Sequence, residues 1–192
     1  MQPPRPVVLT GEHVRLEPLD ATHVADLVEA AQDPVVWRWL PSWPQSPEDI
    51  AVLVEAARTD PGRVAFAVMV DGRAVGSTSY LDIEPELGGI EIGWTWYAPS
   101  VWRTAVNPAC KLLLLGHAFD DLGAERVTLK TDALNVRSRS AIGRLGAAYD
   151  GTLRHHHRRP DGTIRDTAFF SILAAEWPAV CDSLVTRLGG AG

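Results

Sequence analysis

The residues best placed to do chemistry lie between Gly89 and Asp121. Ile90 to Tyr97 is rich in β-branched and aromatic residues and is bounded by Gly88-Gly89 and Pro99, which reads as a strand. A short connection follows, and an apolar helix starts at Asn107-Pro108, with Asn as N-cap and Pro where its missing N–H is not needed. A strand feeding a helix this way presents free backbone N–H groups at the positive end of the helix dipole. That arrangement suits a phosphate or pyrophosphate, with Arg103 as a charged partner. No Walker pattern and no G-x-G-x-x-G is present, so the signal is general physics rather than a fingerprint.

Two other stretches carry reactive or aromatic groups. Trp37, Trp39 and Trp43 fall in a short segment broken by Pro41 and Pro44. They either wall a ligand pocket or plug one end of the core. His155-His156-His157 lies in a predicted strand, where alternation puts His155 and His157 on one face and His156 on the other. Three imidazoles spread over two faces do not converge on a metal, so no metal is expected. The preferred role is one histidine, His155, at the mouth of a substrate site.

The elements that must hold these groups follow from local signals. Val14 to Leu19 alternates as a first strand, and Asp20 or Thr22 caps a helix through Ala31 that Asp33-Pro34 breaks. Ser46-Pro47 opens a second helix to about Arg58. Asp71-Gly72 joins two strands, Val64–Val70 and Arg73–Asp82, as a hairpin. Gly123 and Gly146 close the two later helices, and Pro160-Asp161-Gly162 turns a terminal hairpin. The order predicts a mixed α+β domain over residues 1–192, with about seven mostly antiparallel strands and one α/β crossover. A net charge of −6 argues against a sequence-independent hold on nucleic acid. Two cysteines and no long apolar run predict a soluble cytoplasmic protein with no membrane contact.

Three stretches together resemble the GNAT superfamily of acyl-CoA N-acyltransferases, and within it the ribosomal-protein N-acetyltransferase (RimJ/RimL-type) branch. Leu9 to Leu19 is similar to the branch's opening strand. Trp102-Arg103-Thr104-Ala105-Val106-Asn107 falls where the family carries its R/Q-x-x-G-x-G/A pyrophosphate loop. Here Trp102 stands at the first position, and Ala105 and Asn107 stand at the two small ones. Asn135-Val136-Arg137-Ser138, followed by Leu145-Gly146, resembles the branch's N-x-x-S helix and its L-G-F ending.

The resemblance implies a sheet splayed at its centre, with helices on both faces and acetyl-CoA in the splay. Pantetheine would meet the backbone of Thr95, Trp96 and Tyr97, and pyrophosphate the N–H groups of Arg103, Thr104, Ala105, Val106 and Asn107. Asn135 would approach the pantetheine or the acceptor side, or serve as an N-cap, or both. Glu91 is the implied general base and Ser138 the implied proton donor, because Ile142 occupies the position where many relatives have a tyrosine. Period-2 alternation would place Glu91, Gly93 and Thr95 on one face and Ile92, Trp94 and Trp96 on the other. The acceptor would be a small-molecule amine or a protein N-terminus, lined by Trp37, Trp39, Trp43 and His155. A non-catalytic CoA-binding module with the same fold is the alternative. The aromatic residues and the terminal hairpin also permit a homodimer.

Overall fold

The computed structural model describes residues 1–190. Residues 191 and 192, part of the expected domain, lie outside the described residues. Eight strands form one sheet in the order β1-β2-β3-β4-β5-β6-β8-β7. They are β1 (Leu9–Thr10), β2 (Arg15–Pro18), β3 (Val64–Val70), β4 (Arg73–Glu84), β5 (Gly89–Tyr97), β6 (Arg126–Asp132), β7 (Ala148–Arg158) and β8 (Ile164–Leu173). The strand beyond the expected seven is β1. It pairs two residues back onto β2 and is too short to show an alternation. Every neighbouring pair is antiparallel except β5 and β6, which are parallel.

Helices α1 (Val24–Ala30) and α2 (Pro47–Thr59) pack on one face of the sheet, and α3 (Val106–Gly116), α4 (Val136–Gly143) and α5 (Trp177–Gly189) on the other. The local signals for their ends are realised. Ser46 Oγ accepts from Asp49 N–H at 3.2 Å, and Asp49 returns the bond in a capping box. Asp71 and Gly72 have φ of 50° and 78°, which the two-residue hairpin requires. The third helix differs from expectation at both ends. It begins at Val106, and its last stretch, His117–Asp121, widens into a π-turn before Gly123.

Two apolar layers result. Leu16, Phe66, Tyr80, Ile92, Leu114, Leu129 and Ile172 fill the layer under α3 and α5. Leu27, Val36, Trp37, Ile50 and Val54 fill the layer under α1 and α2. No described helix is long and apolar enough to cross a membrane.

Candidate active site

The parallel ladder between β5 and β6 is short. It pairs Gly89, Ile90 and Glu91 with Arg126, Val127 and Thr128 and goes no further, although both strands continue. Beyond Glu91 the edge of β5 facing β6 is unpaired, so its backbone groups are open to a ligand. A bulge then reorients the strand. Its register against β4 slips between Ser77↔Trp96 and Ser79↔Gly93, and Trp94 takes a left-handed φ of 50°. The backbones come so close there that a Cβ on Gly76 would lie 2.1 Å from the Trp96 carbonyl oxygen, which only glycine allows.

This bulge corrects the expected alternation. Trp96 opposes Ser77 and shares the face of Glu91 and Gly93, whereas Thr95 turns to the α3 face. There its hydroxyl meets Thr78 Oγ1 at 2.7 Å and accepts from Lys111 Nζ at 3.2 Å. One extra residue exchanges the faces of everything after it.

Glu91 sits at the apex of the opening and is only 6% exposed. Its Oε2 lies 2.5 Å from Lys130 Nζ, and Lys130 also binds Asp82 at 2.7 Å. Burial raises the Glu91 pKa to about 7; the bond to Lys130 offsets this only in part, and the Asp82 carboxylate adds to the rise. A Cβ at position 93 would lie 2.6 Å from Glu91 Oε1, so Gly93 leaves the room that the carboxyl uses.

At the other end of the opening stands the loop before α3. The N–H groups of Arg103, Thr104, Ala105 and Asn107 donate to nothing among the described residues. The left-handed residue of the loop is Arg103, at φ 65°, and Ala105 keeps an ordinary φ of −65° without strain. The family's small residue at that position is therefore not needed here. Asn107 does not cap the helix, because it lies inside the first turn and its Oδ1 accepts from Tyr97 Oη at 3.2 Å. Thr104 does the local work, accepting from Val106 N–H at 3.3 Å.

Trp102 replaces the family's first loop residue with a different function. Its Nε1 donates to the Tyr97 carbonyl at 2.9 Å, so that acceptor is not free for a ligand. Arg137 of α4 lies 3.7 Å over the Trp102 ring, tying α4 to the loop across the opening. Asn135 caps α4, accepting from Ser138 N–H at 3.1 Å. Ser138 is half-buried in the first turn of α4, while Ile142 is buried in the core.

The residue pattern does not point to Lys111, which sits among leucines and reads as helix filler. It is 5% exposed, and Thr95 is its only hydrogen-bond partner among the described residues. Burial lowers its pKa to about 8. Period-2 spacing along β6 does group Lys130 with Thr128 and Asp132. Its link to Glu91 needed the neighbouring strand to be known.

The proposed acceptor residues do not all converge. Trp37 is core: its ring lies tilted against that of Trp96, centroids 4.9 Å apart, and its Nε1 donates to the Ala31 carbonyl. It also lines, with Trp43, a cavity of about 350 Å³ closed on its far side by Arg159, Pro160 and Asp161 of the β7–β8 turn. Trp37 thus plugs the core, as one of the two expected roles has it, and its edge also borders a cavity. Trp39 carries Arg38 on its ring and stays outside that cavity. His155 is exposed, with φ of 53° at an irregularity in β7, and does not line the cavity. The same irregularity brings the His156 and His157 rings to 3.9 Å, against the alternation expected of a regular strand. No group of three metal-capable side chains occurs among the described residues.

This geometry has known counterparts. A model of the acetyltransferase (GNAT) domain family matches residues 13–148. A GCN5-related N-acetyltransferase from Brucella melitensis aligns with a TM-score of 0.93 and 30% identity, covering 98% of this chain and 89% of that one. RimJ of Mycobacterium smegmatis, solved in complex with CoA-disulfide, shares the fold at a TM-score of 0.81 and 21% identity, covering 97% of each chain. YdaF of Bacillus subtilis strain 168, provisionally named a ribosomal N-acetyltransferase, is 25% identical over 175 residues, 87% of this chain and 94% of that protein. With the family matched over most of its length and the opened parallel pair in place, the chain belongs to the GNAT acetyltransferase family and is an N-acetyltransferase similar to the ribosomal branch.

Proposed function

We propose that residues 1–192 form one cytoplasmic enzyme domain that moves the acetyl group of acetyl-CoA to a primary amine, by direct attack in a ternary complex. The observation that carries this is the break in the β5–β6 ladder after Glu91, with free loop N–H groups at one end and a carboxyl that titrates near neutrality at the other. The residues present fit the co-substrate. The unpaired edge of β5 can hydrogen-bond pantetheine at Thr95 and Trp96, and the N–H groups of Arg103 to Asn107 can hold pyrophosphate. Arg137 and Arg103 flank that loop as cations. When bound, acetyl-CoA supplies an activated thioester carbonyl.

Glu91 then takes the proton of the attacking ammonium, directly or through water. With a pKa about 7 it is close to the acceptor amine and to the working pH, where a general base is most effective. N–H groups on the unpaired edge of β5 are assigned to the developing oxyanion. Ser138 is assigned to return a proton to the departing sulfur; a thiolate needs only modest help. No covalent enzyme intermediate is needed.

A protein N-terminus is favoured as acceptor over a small amine. The Glu91 face runs on along β6 and β8 through the partly exposed Lys130, Phe169 and Arg165 toward the β7–β8 turn that borders the cavity at Trp43, a line an extended chain can follow. The ribosomal name of YdaF points the same way. Calorimetric titration with acetyl-CoA and CoA tests the reading. Micromolar affinity, about −8 kcal/mol, is expected, and no binding at millimolar ligand overturns it. Binding without turnover of any amine would instead mark a non-catalytic CoA-binding module.

A further inference from the structure

We propose that Arg165 on β8 is a receptor for a carboxylate of the acceptor, so that the enzyme prefers N-termini with an acidic side chain a few residues in. The inference rests on the acetyl-transfer reading above. The Glu91 face of the sheet carries four cations near the gap, and three already have partners; Arg63 donates Nε to Ser79 Oγ at 2.8 Å and lies over the Trp94 ring. Lys130 binds Glu91 and Asp82, and the Arg159 fork binds both oxygens of Asp132 at 2.6 and 3.0 Å. Arg165 has no ion pair and no hydrogen bond among the described residues, and its Nε is buried.

The nearby carboxylates are spoken for. Asp132 Oδ1 also accepts from Leu134 N–H, so each of its bonds goes to a group other than Arg165. Arg165 opposes His157 on β7 and follows the same face as Thr167, the partner of Asp132 in the ladder. Thr167 is fully buried, and its hydroxyl likewise has no partner among the described residues. A buried guanidinium N–H and a buried hydroxyl two residues apart on one strand face, both unsatisfied, are costly in a folded protein unless something visits them. Both can donate, and a planar fork beside a hydroxyl suits a carboxylate. The charge of Arg165 also depresses the pKa of His157, which burial lowers first. An anion at Arg165 would relieve that.

Register sets the reach. Glu91 is level with Thr128, Thr128 with Ser171, and Arg165 lies further along β8 from Ser171. At ~3.3 Å per residue those Cα atoms are about 20 Å apart. Glu91 and Arg165 stand off the same face and their charges act on each other, but they are too far apart for the amine and α-carboxylate of one free amino acid to bridge. An acidic side chain at the second to fourth residue of an extended peptide spans that distance.

The test uses hexapeptides with a free N-terminal serine and one glutamate at position two, three or four, each against its glutamine counterpart. The wild-type enzyme is expected to favour glutamate by about tenfold or more in kcat/KM at one of these positions. Arg165→Gln should bring that ratio near one, and Arg165→Lys, which keeps charge but loses the fork, should leave part of it. Equal rates for all pairs in the wild type, or an unchanged ratio in Arg165→Gln, would overturn the proposal. If no peptide is acetylated, the peptide-acceptor reading fails separately. Titrating the same peptides into the CoA-loaded protein then decides the Arg165 site: tighter binding of glutamate peptides supports it, and equal binding removes it.

Discussion

Glu91 and Asp132 are both buried carboxylates on one face of the sheet, at opposite ends of the gap between β5 and β6, and their surroundings drive them in opposite directions. Burial raises both. At Asp132 the Arg159 fork and the Leu134 N–H outweigh it, and the pKa falls below the ordinary carboxylate range. At Glu91 a single ammonium must serve two carboxylates, because Lys130 is shared with Asp82, and burial wins. The difference is a heavier desolvation at Glu91 together with a partner that Glu91 must share. A fully compensated carboxylate becomes a fixed structural anion, and an under-compensated one can take up and release a proton near neutral pH, as a general base must.

The comparison is most easily broken at Glu91. Glu91→Gln is expected to lower kcat by roughly 10²–10⁴-fold while the KM for acetyl-CoA stays put, the range of a lost general base. The wild-type rate should rise with pH and level off above about 7, where Glu91 is deprotonated, and the variant should lose that limb. A limb that persists in Glu91→Gln would assign it to another group. Linkage gives a second readout. The folded protein holds the Glu91 proton to about pH 7 and the unfolded chain releases it near 4.5, so stability should fall as pH rises through that window.

Asp132→Asn is the matching change at the other end, and it should act on the fold. Losing a charge from a buried fork costs about 3 kcal/mol, read as a drop in Tm of about 6–12 °C. Since the folded-state pKa of Asp132 is depressed, its contribution is full at neutral pH and lost as pH falls through the acid range. The variant should lose that share of the acid-range slope while the other depressed carboxylates, such as Asp26 and Asp82, keep theirs. A pH–rate limb that moved in Asp132→Asn would erase the distinction between the two carboxylates.

Lys111 extends the same logic to a cation without any carboxylate. Lys111→Met should raise stability at pH 7 by about 2 kcal/mol, because a buried charge is replaced by an isosteric apolar chain. The gain should shrink between pH 8 and 10.5, where the folded protein has released the proton and the unfolded chain has not. Thermal melts at pH 7 and 10 decide this, and a destabilised variant at pH 7 would mean that Lys111 has an unrecognised partner. The smallest effect is expected at the loop. Asn107→Asp should weaken CoA binding about fivefold beyond Asn107→Ala by setting a negative charge among the proposed phosphate donors. Equal affinities by calorimetry would take the phosphate away from this loop.

Much of the frame was legible from residues alone because its signals are local. Ser46, Asp71-Gly72 and Gly123 act through their own backbone geometry and a few neighbours, so type and spacing suffice. The strand and loop that open the site, and the likeness of Trp102 to Asn107 and of Asn135 to Ser138 to family motifs, belong to the same class. What the sequence by itself determined is therefore the element order, the family and the stretch that holds the site.

The tertiary structure decided the rest. A tryptophan at positive φ has no propensity signal, so the bulge at Trp94 and the resulting exchange of Thr95 and Trp96 between faces could not be read from alternation. The end of the β5–β6 ladder at Glu91 depends on pairing between segments far apart in the chain. The Glu91–Lys130–Asp82 triangle spans three strands, and the burial of Lys111 depends on what α3 packs against. Desolvation and charge pairing are properties of neighbourhood in space, and they turn a glutamate among many into a carboxyl that titrates near neutrality, the proposed base.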